Sequence, residues 1–389
     1  MLFKETSLLL TAFALIGLLL CALASRAGAR KRSLVAAAVC AAILVVSLVP
    51  VAQAMETASA EGLPLSLTRY FAELSALPER FVDRSPETVP YAHLSGGEVL
   101  KADVWKPSGD DGKGSSRHSG LDIAATERRP AVIVVHGGAW HSGERSDFPS
   151  WDAWLADKGY VVFDIDYRLS PPPSWQDAPA DVACALGWVK ENAARYGVDP
   201  ERVALMGRSA GGQLALLTAY KEGRAAPTPG CAARSTVQDT AVAAVVALYP
   251  PTDLSLLSSM GYLGGMDRFL GGSLSTVPGR YRHLSPVSHV DPDDPPTFLA
   301  YGGDDQIVPP GQSELLGERL KEAGVSHRLA KLPWANHTFD FLWGGWGSQI
   351  TRFALGEFLS RHLETPIEAG DDLPTPAGHP SSYPARRDA

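Results

Sequence analysis

Two stretches near the N-terminus break the alternation of polar and apolar positions that runs through the rest of the chain. Leu8 to Ala24 is apolar apart from Thr11, and Leu34 to Ala54 is a second apolar run. Each is long enough to cross a bilayer as a helix. Arg26, Arg30, Lys31 and Arg32 lie in the turn between them, whereas Lys4 is offset by Glu5 and Glu56 follows the second run. Basic residues accumulate on the cytoplasmic side of short loops. Residues 1–58 are therefore read as a membrane anchor of two transmembrane helices, with the turn in the cytoplasm and both ends outside. A competing reading takes Arg30-Lys31-Arg32, the apolar stretch after it and Ala52-Gln53-Ala54 as a signal peptide. Two retained spans are preferred, because a simple signal peptide has no use for the first run. Both readings export everything after Met55.

Helical spacing continues at Leu67, Tyr70, Phe71, Leu74, Leu77 and Phe81, interrupted by Pro78. This juxtamembrane segment, 59–88, is a partly amphipathic helix that lies on the membrane or, by preference, packs on the main domain. From Val89 the period shortens to two. Val89 to Leu94 and Glu98 to Trp105, joined by Ser95-Gly96-Gly97, predict a hairpin. Residues 107–130 are polar and aperiodic and are read as an exposed loop. Strands are then expected at Ala131–Val135, Val161–Asp166, Val203–Met206, Val242–Tyr249, Thr297–Tyr301 and His327–Leu332. Helices are expected at Trp151–Lys158, Pro179–Tyr196, Ser313–Ala323 and Gln349–His362. Such alternation predicts an α/β catalytic domain over 89–363, with a mostly parallel central sheet flanked by helices. Within it, 254–283 is expected to be a small lid. Leu256, Leu257, Met260, Leu263, Met266 and Phe269 either line an acyl or aryl pocket or form the lid's own core. The tail, 364–389, is rich in proline and small polar residues and is expected to be disordered.

The chain is organised around Gly207-Arg208-Ser209-Ala210-Gly211-Gly212, between the strand Val203–Met206 and a helical stretch from Gln213 to Tyr220. A serine at such a turn is held in a strained bend with its hydroxyl exposed, and the flanking glycines let strand and helix pack closely. Free serine is a poor nucleophile, so this reading requires a base, an orienting acid and an oxyanion hole elsewhere. The strand ending at Val135 leads into His136-Gly137-Gly138-Ala139-Trp140, where successive glycines can present backbone N–H groups. Gly137, Gly138 and Ala210 are the candidate oxyanion donors.

Composition narrows the picture. The 389 residues are 45% hydrophobic and 20% charged, with net charge −8, which suits one large α/β domain plus appendages. No basic stripe marks the globular part, so nucleic acid is not an expected partner. Cys21 and Cys40 lie in the apolar runs. Cys184 and Cys231 are expected to be unrelated buried thiols, with one bridge open to them if the domain is exported. His283 and His289 lack ligand partners at credible spacing, so neither a metal nor an organic cofactor is expected. Oligomeric state is not indicated.

Six segments together resemble the α/β-hydrolase superfamily, in its hormone-sensitive-lipase-like and feruloyl-esterase-like (BD-FAE-like) branch with an H-G-G-x-W oxyanion loop. They are His136-Gly137-Gly138-Ala139-Trp140, Asp166-Tyr167-Arg168-Leu169, the Ser209 turn, Ser285-Pro286-Val287, Gly302-Gly303-Asp304-Asp305-Gln306-Ile307-Val308-Pro309 and Asn336-His337-Thr338-Phe339. The resemblance spans roughly Tyr91 to Leu363. It implies that Ser209 is the nucleophile, Asp305 the acid and His337 the base, in the order expected of the fold. Composition cannot choose between Asp304 and Asp305. The family pattern, an acid followed by two variable positions and then valine-proline, selects Asp305. The resemblance also makes His136 structural rather than a second base. Asp181 and the Asp166-Tyr167-Arg168 run are expected to brace loops. The implied function is a membrane-tethered serine carboxylesterase acting on small to medium acyl or aryl esters. A serine peptidase of the same fold and a catalytically silent binding module are the alternatives.

Overall fold

The computed structural model describes residues 2–74, 84–107, 128–221, 231, 241–261 and 265–363. The predicted polar loop falls mostly outside these residues, as do Leu77, Pro78, Phe81, Leu263 and the tail.

The N-terminal part forms α1 (Leu2–Glu5), α2 (Ser7–Arg26), α3 (Arg30–Ala60) and α4 (Leu67–Leu74). The main domain follows with β1 (Glu87–His93), β2 (Val99–Trp105), β3 (Arg129–Val135), α5 (Pro149–Asp157) and β4 (Val161–Ile165). Next come α6 (Asp177–Glu191), α7 (Ala193–Tyr196), β5 (Val198–Arg208), α8 (Ala210–Tyr220) and β6 (Ala244–Leu248). Three short helices, α9 (Leu254–Ser259), α10 (Met266–Leu270) and α11 (Pro278–His283), precede β7 (Thr297–Gly302), α12 (Gly311–Ala323), β8 (His327–Leu332) and α13 (Trp346–Leu363). The helix expected over Pro179–Tyr196 is broken at Asn192 into α6 and α7. The second apolar run is longer than expected, because α3 continues past the apolar residues to Ala60.

The eight strands form one sheet in the order β1-β2-β4-β3-β5-β6-β7-β8. The β1–β2 hairpin is antiparallel and joins β4 antiparallel, while β4, β3, β5, β6, β7 and β8 are mutually parallel. Successive residues of a strand face opposite sides, and both sides are covered. Ile133, Leu205 and Val245 contribute to a core shared with Val182, Leu186 and Val189 of α6, Leu214 of α8 and Leu316 of α12. Val132, Met206 and Val246 contribute to a second core with Trp151 and Leu155 of α5 and Ile350, Leu355 and Phe358 of α13. A sheet covered on both faces has near-continuous apolar strands, which is the pattern in β3, β5 and β6.

Ala54 and Ala58 of α3, with Leu63 just after it, join the second core, and α4 joins it through Tyr70, whose ring stacks on Trp346. Leu67 and Phe71 of α4 stay exposed. In the 254–283 segment, Leu257, Met266 and Phe269 are buried in the first core, while Leu256 and Met260 face outward.

The two cysteines of the globular part are not separate thiols, as had been expected. Cys184 of α6 and Cys231 form a disulfide across 47 residues, and Cys231 makes a backbone bridge to Ala92 of β1. Periodicity had no access to this pairing, since nothing local to either residue points to the other. Closing a loop of that length restricts the unfolded chain, so a Cys184→Ala/Cys231→Ala variant should lose about 2–4 kcal/mol of stability. Chemical denaturation of the oxidised protein and the variant, compared directly, checks this; equal midpoints would contradict it.

Candidate active site

Ser209 follows β5 and precedes α8, in a backbone conformation (φ 50°, ψ −119°) that L-residues rarely adopt. Two glycines make the bend sterically feasible. A Cβ on Gly207 would lie 2.2 Å from the Gly211 carbonyl oxygen, and one on Gly211 would lie 2.2 Å from the carbonyl oxygens of Val135 and His136. Helix α8 is thus pressed against both the elbow and the end of β3. The Ser209 side chain is less open than the sequence suggests, since the residue is only 8% exposed. The loops after β3 and β8, through Gly137 and His337, lie against it.

The imidazole of His337, on the loop after β8, bridges a hydroxyl and a carboxylate. Its Nε2 lies 2.9 Å from Ser209 Oγ and its Nδ1 2.7 Å from Asp305 Oδ2. The other carboxylate oxygen of Asp305 accepts the backbone N–H groups of Ile307 (2.8 Å) and Val308 (2.9 Å). That leaves Oδ2 for the imidazole. Asp304 is turned outward and pairs with Lys4. Of the two adjacent carboxylates, which lie past the end of β7 at a turn, only Asp305 faces His337.

The loop after β3 wraps the other side of Ser209. Gly137 packs against the elbow, where an added Cβ would lie 3.6 Å from Ser209 Cβ, and Ala210 begins α8. Gly138, Ala139 and Trp140 all have positive φ. Trp140 anchors this unusual run by donating to Gln213 of α8 (2.9 Å) and stacking on Phe269 of α10 at 4.8 Å. His136 is engaged elsewhere: Nδ1 lies 2.7 Å from the Gly137 carbonyl, and its ring stacks on Tyr167 at 4.3 Å. Burial pushes the His136 pKa down, so the ring stays neutral. Arg168 forks onto the buried Asp181 at 2.8 and 2.7 Å, and Arg145 spans Asp103 and Asp166, so the neighbouring loops are cross-braced. Ser285 accepts the Leu254 N–H and donates to the Tyr281 carbonyl, pinning both ends of the 254–283 segment. Among the described residues no cluster of histidine, cysteine and carboxylate side chains could hold a metal ion.

The family model BD-FAE matches residues 121–320, more than half of the chain. The chain belongs to the BD-FAE family. Among its curated relatives, the esterase LipQ of Mycobacterium tuberculosis is 31% identical over 72% of this chain and 63% of LipQ. LipM of the same organism, a probable carboxylic ester hydrolase, is 32% identical over 71% of this chain and 62% of LipM. The chain thus spans somewhat under two thirds of these relatives. A solved structure of Thermogutta terrifontis esterase 2 phosphorylated by paraoxon superposes with a TM-score of 0.57, at 26% identity, over 72% of this chain and 96% of that one. The expected α/β-hydrolase fold is the fold observed.

Two features of this BD-FAE domain escaped sequence reasoning. The first is Arg208, whose guanidinium is buried and bonded to Asp340 Oδ2 at 2.6 Å, against the faces of Phe148 and Trp151. Asp340 Oδ1 accepts the hydroxyl of Tyr249 at 2.6 Å. Burial, the largest single influence, lowers the Arg208 pKa, but Asp340, Tyr249 and Asp152 together outweigh it and raise the value. A charged residue in the middle of a buried turn was the available signal. The second is the N-terminus. Glu5 is buried, accepting from Trp334 Nε1 and from the Gly347 N–H, each at 3.1 Å. With Lys4 on Asp304, residues 4 and 5 grip the loops that carry Asp305 and His337. No local pattern could have disclosed a contact between residues 5 and 347.

Removing one member of a buried ion pair strands the other, so Asp340→Ala should destabilise the domain by about 3–5 kcal/mol. The combined Arg208→Met/Asp340→Leu variant should recover much of that loss in urea unfolding. If the double variant is as unstable as the single one, the pair is not the cause.

Glu5 adds a pH signature. Burial raises its pKa from 4.5 to about 7, against the two N–H donors and with Asp340 adding to the rise. Between those values the folded chain keeps a proton that the unfolded chain has lost. Stability from this group therefore falls as pH rises from 4.5 to about 7, and is level above that. The fall amounts to about 3 kcal/mol and should be missing from Glu5→Gln. Melting curves of both proteins in detergent across this range test it; parallel profiles would exclude it.

Proposed function

We propose that this protein is a serine carboxylesterase, held in a membrane by α2 and α3, that hydrolyses small to medium acyl or aryl esters outside the cytoplasm. The observation that carries the reading is the continuous hydrogen-bonded line from Asp305 through His337 to Ser209 at a strained strand-to-helix turn. The names of LipQ and LipM support the same chemistry. In this mechanism Ser209 Oγ attacks the ester carbonyl carbon while its proton passes to His337 Nε2. The oxyanion is met by the backbone N–H groups of Gly137, Gly138 and Ala210. Collapse breaks the bond to the alkoxy group, which leaves with the proton from His337, and Ser209 is left acylated. Water then attacks the acyl carbon by the same proton route, releasing acid and free serine. Asp305 keeps the Nδ1–H tautomer and stabilises the imidazolium.

Three observations support the membrane reading. Both helices are apolar and largely exposed, with only about a sixth of each window buried. The basic residues lie at the hairpin turn. A disulfide suits an oxidising compartment.

Ser209→Ala should abolish turnover of a p-nitrophenyl ester and phosphorylation by paraoxon. Asp305→Asn favours the wrong imidazole tautomer; that change costs about 10⁴ in a serine protease, so a loss of at least about a hundredfold in kcat is expected. Asp304→Asn, which only releases Lys4, should cost far less. The reverse ranking would make Asp304 the acid. Full activity in Ser209→Ala would end the reading, and turnover confined to aminoacyl-nitroanilides would favour a peptidase.

A further inference from the structure

The direction in which the hairpin leaves the domain bears on where the substrate comes from. Ser209, Asp305 and His337 all follow the C-terminal ends of parallel strands, β5, β7 and β8. Glu5 is bonded at this same end, to Trp334 two residues beyond β8. Glu61, just past α3, is bonded at the opposite end, to Arg328 near the start of β8 at 2.6 Å. Helix α3 therefore runs along the edge of the domain beside β8. Ser47 lies fourteen residues before Glu61, about 21 Å back along the helix. The stretch of β8 from Arg328 to Leu332 covers only about 13 Å, so α3 overshoots the site end of the sheet. There the Ser47 hydroxyl meets that of Thr11 in α2 at 2.8 Å. Beyond this pair both helices are exposed and apolar, with Phe13, Leu19, Leu34 and Val45 among the outward residues.

Lengths then set the depth. Helix α2 has 20 residues and spans about 30 Å, which equals the hydrocarbon thickness of about 30 Å. If Arg26 marks the far boundary, the near boundary lies at Ser7. That is two residues from Glu5, which is bonded three residues before His337. A second observation agrees. Leu256 and Met260 on the segment after β6, Phe341 four residues after His337, and Leu67 and Phe71 on α4 are exposed apolar side chains on the elements at this end, while Leu329 of β8 and Phe353 of α13 are exposed elsewhere. Helix α4 is held at this level because Tyr70 donates to the Glu5 carbonyl at 2.6 Å.

We propose that the site end of the domain rests on the outer face of the bilayer that holds α2 and α3, and that the site takes its ester from that bilayer. The substrate class is an amphiphilic ester whose hydrocarbon part is embedded among the lipids. This rests on the esterase and membrane-anchor readings above, and it narrows the first of them. An apolar rim beside a membrane contributes burial of about 25 cal/mol per Å², and a substrate already concentrated in two dimensions needs no transfer into water.

The test uses the full chain in phosphatidylcholine nanodiscs, in a Cys21→Ala/Cys40→Ala background. An environment-sensitive fluorophore is placed by Met260→Cys or, at the other end of the sheet, by Glu201→Cys. Doxyl-labelled lipid should quench the first several-fold more than the second; equal quenching, or the reverse, overturns the orientation. Turnover is then compared for p-nitrophenyl acetate in solution and for a 4-methylumbelliferyl oleate either in the enzyme's own discs or in separate vesicles. Oleate in the same disc should react at least about tenfold faster than oleate supplied separately. Leu67→Glu/Phe71→Glu should shrink that ratio while leaving acetate turnover unchanged. A ratio near one with normal acetate turnover overturns the substrate class. Absence of acetate turnover and of paraoxon labelling, with quenching intact, removes the esterase reading and leaves the orientation standing.

Discussion

Ser209 occupies a backbone conformation that costs on the order of 1–3 kcal/mol for a residue with a side chain, and the rest of the site is arranged around sustaining it. The bend persists because α8 lies too close to β5 and β3 to let the turn relax, an approach that only glycine at 207 and 211 permits. Alternation along the strand then dictates what happens next to it. Arg208 must project into the core on the side of α5 and α13, where a bare guanidinium would be prohibitively costly. Asp340, Tyr249 and two aromatic faces receive it. Because Asp340 lies three residues after His337, the same ion pair that makes the turn tolerable also fixes the loop of the imidazole.

The loops around Ser209 are secured from outside the site as well. Trp140 and Gln213 tie the glycine loop to α8, and Gln213 extends the chain by donating to the Leu284 carbonyl at the foot of the lid. Lys4 and Glu5 hold the acid and base loops against the start of α2. The N-terminal segment is thereby part of the architecture of the site. Burying Glu5 is costly, as its raised pKa records, and the two N–H donors offset only part of that cost.

A large cleft of about 770 Å³ lies between α4 and α13, lined by residues such as Leu63, Arg69, Trp154 and Arg352. None of Ser209, Asp305 or His337 borders it, so volume alone is a poor guide to chemistry in this molecule. Arg352 there is held on the face of Trp343, and burial lowers its pKa to about 10 despite the nearby Glu73. The cleft is a seam between the segment around α4 and the main domain.

What the amino-acid sequence determined by itself was local or ordered along the chain. Periods of two and of about 3.6 residues are set by the backbone, so the alternation of strands and helices along the chain, the apolar helices and the mostly parallel character of the sheet were legible. The tight turns were legible too, because glycine and serine at 207–212 and glycines at 137–138 answer to short-range steric demands. Tertiary structure alone decided the pairings: Cys184 with Cys231, Arg208 with Asp340, Glu5 with Trp334 and Gly347. It also decided that Ser209 is covered, that Leu256 and Met260 face outward while Phe269 is core, and that the hairpin leaves from the site end of the sheet. Each of these joins residues 47 to 342 positions apart, or depends on which face a neighbour covers. Local propensity carries no information about such contacts, because they come into being only when the sheet is closed by its two cores.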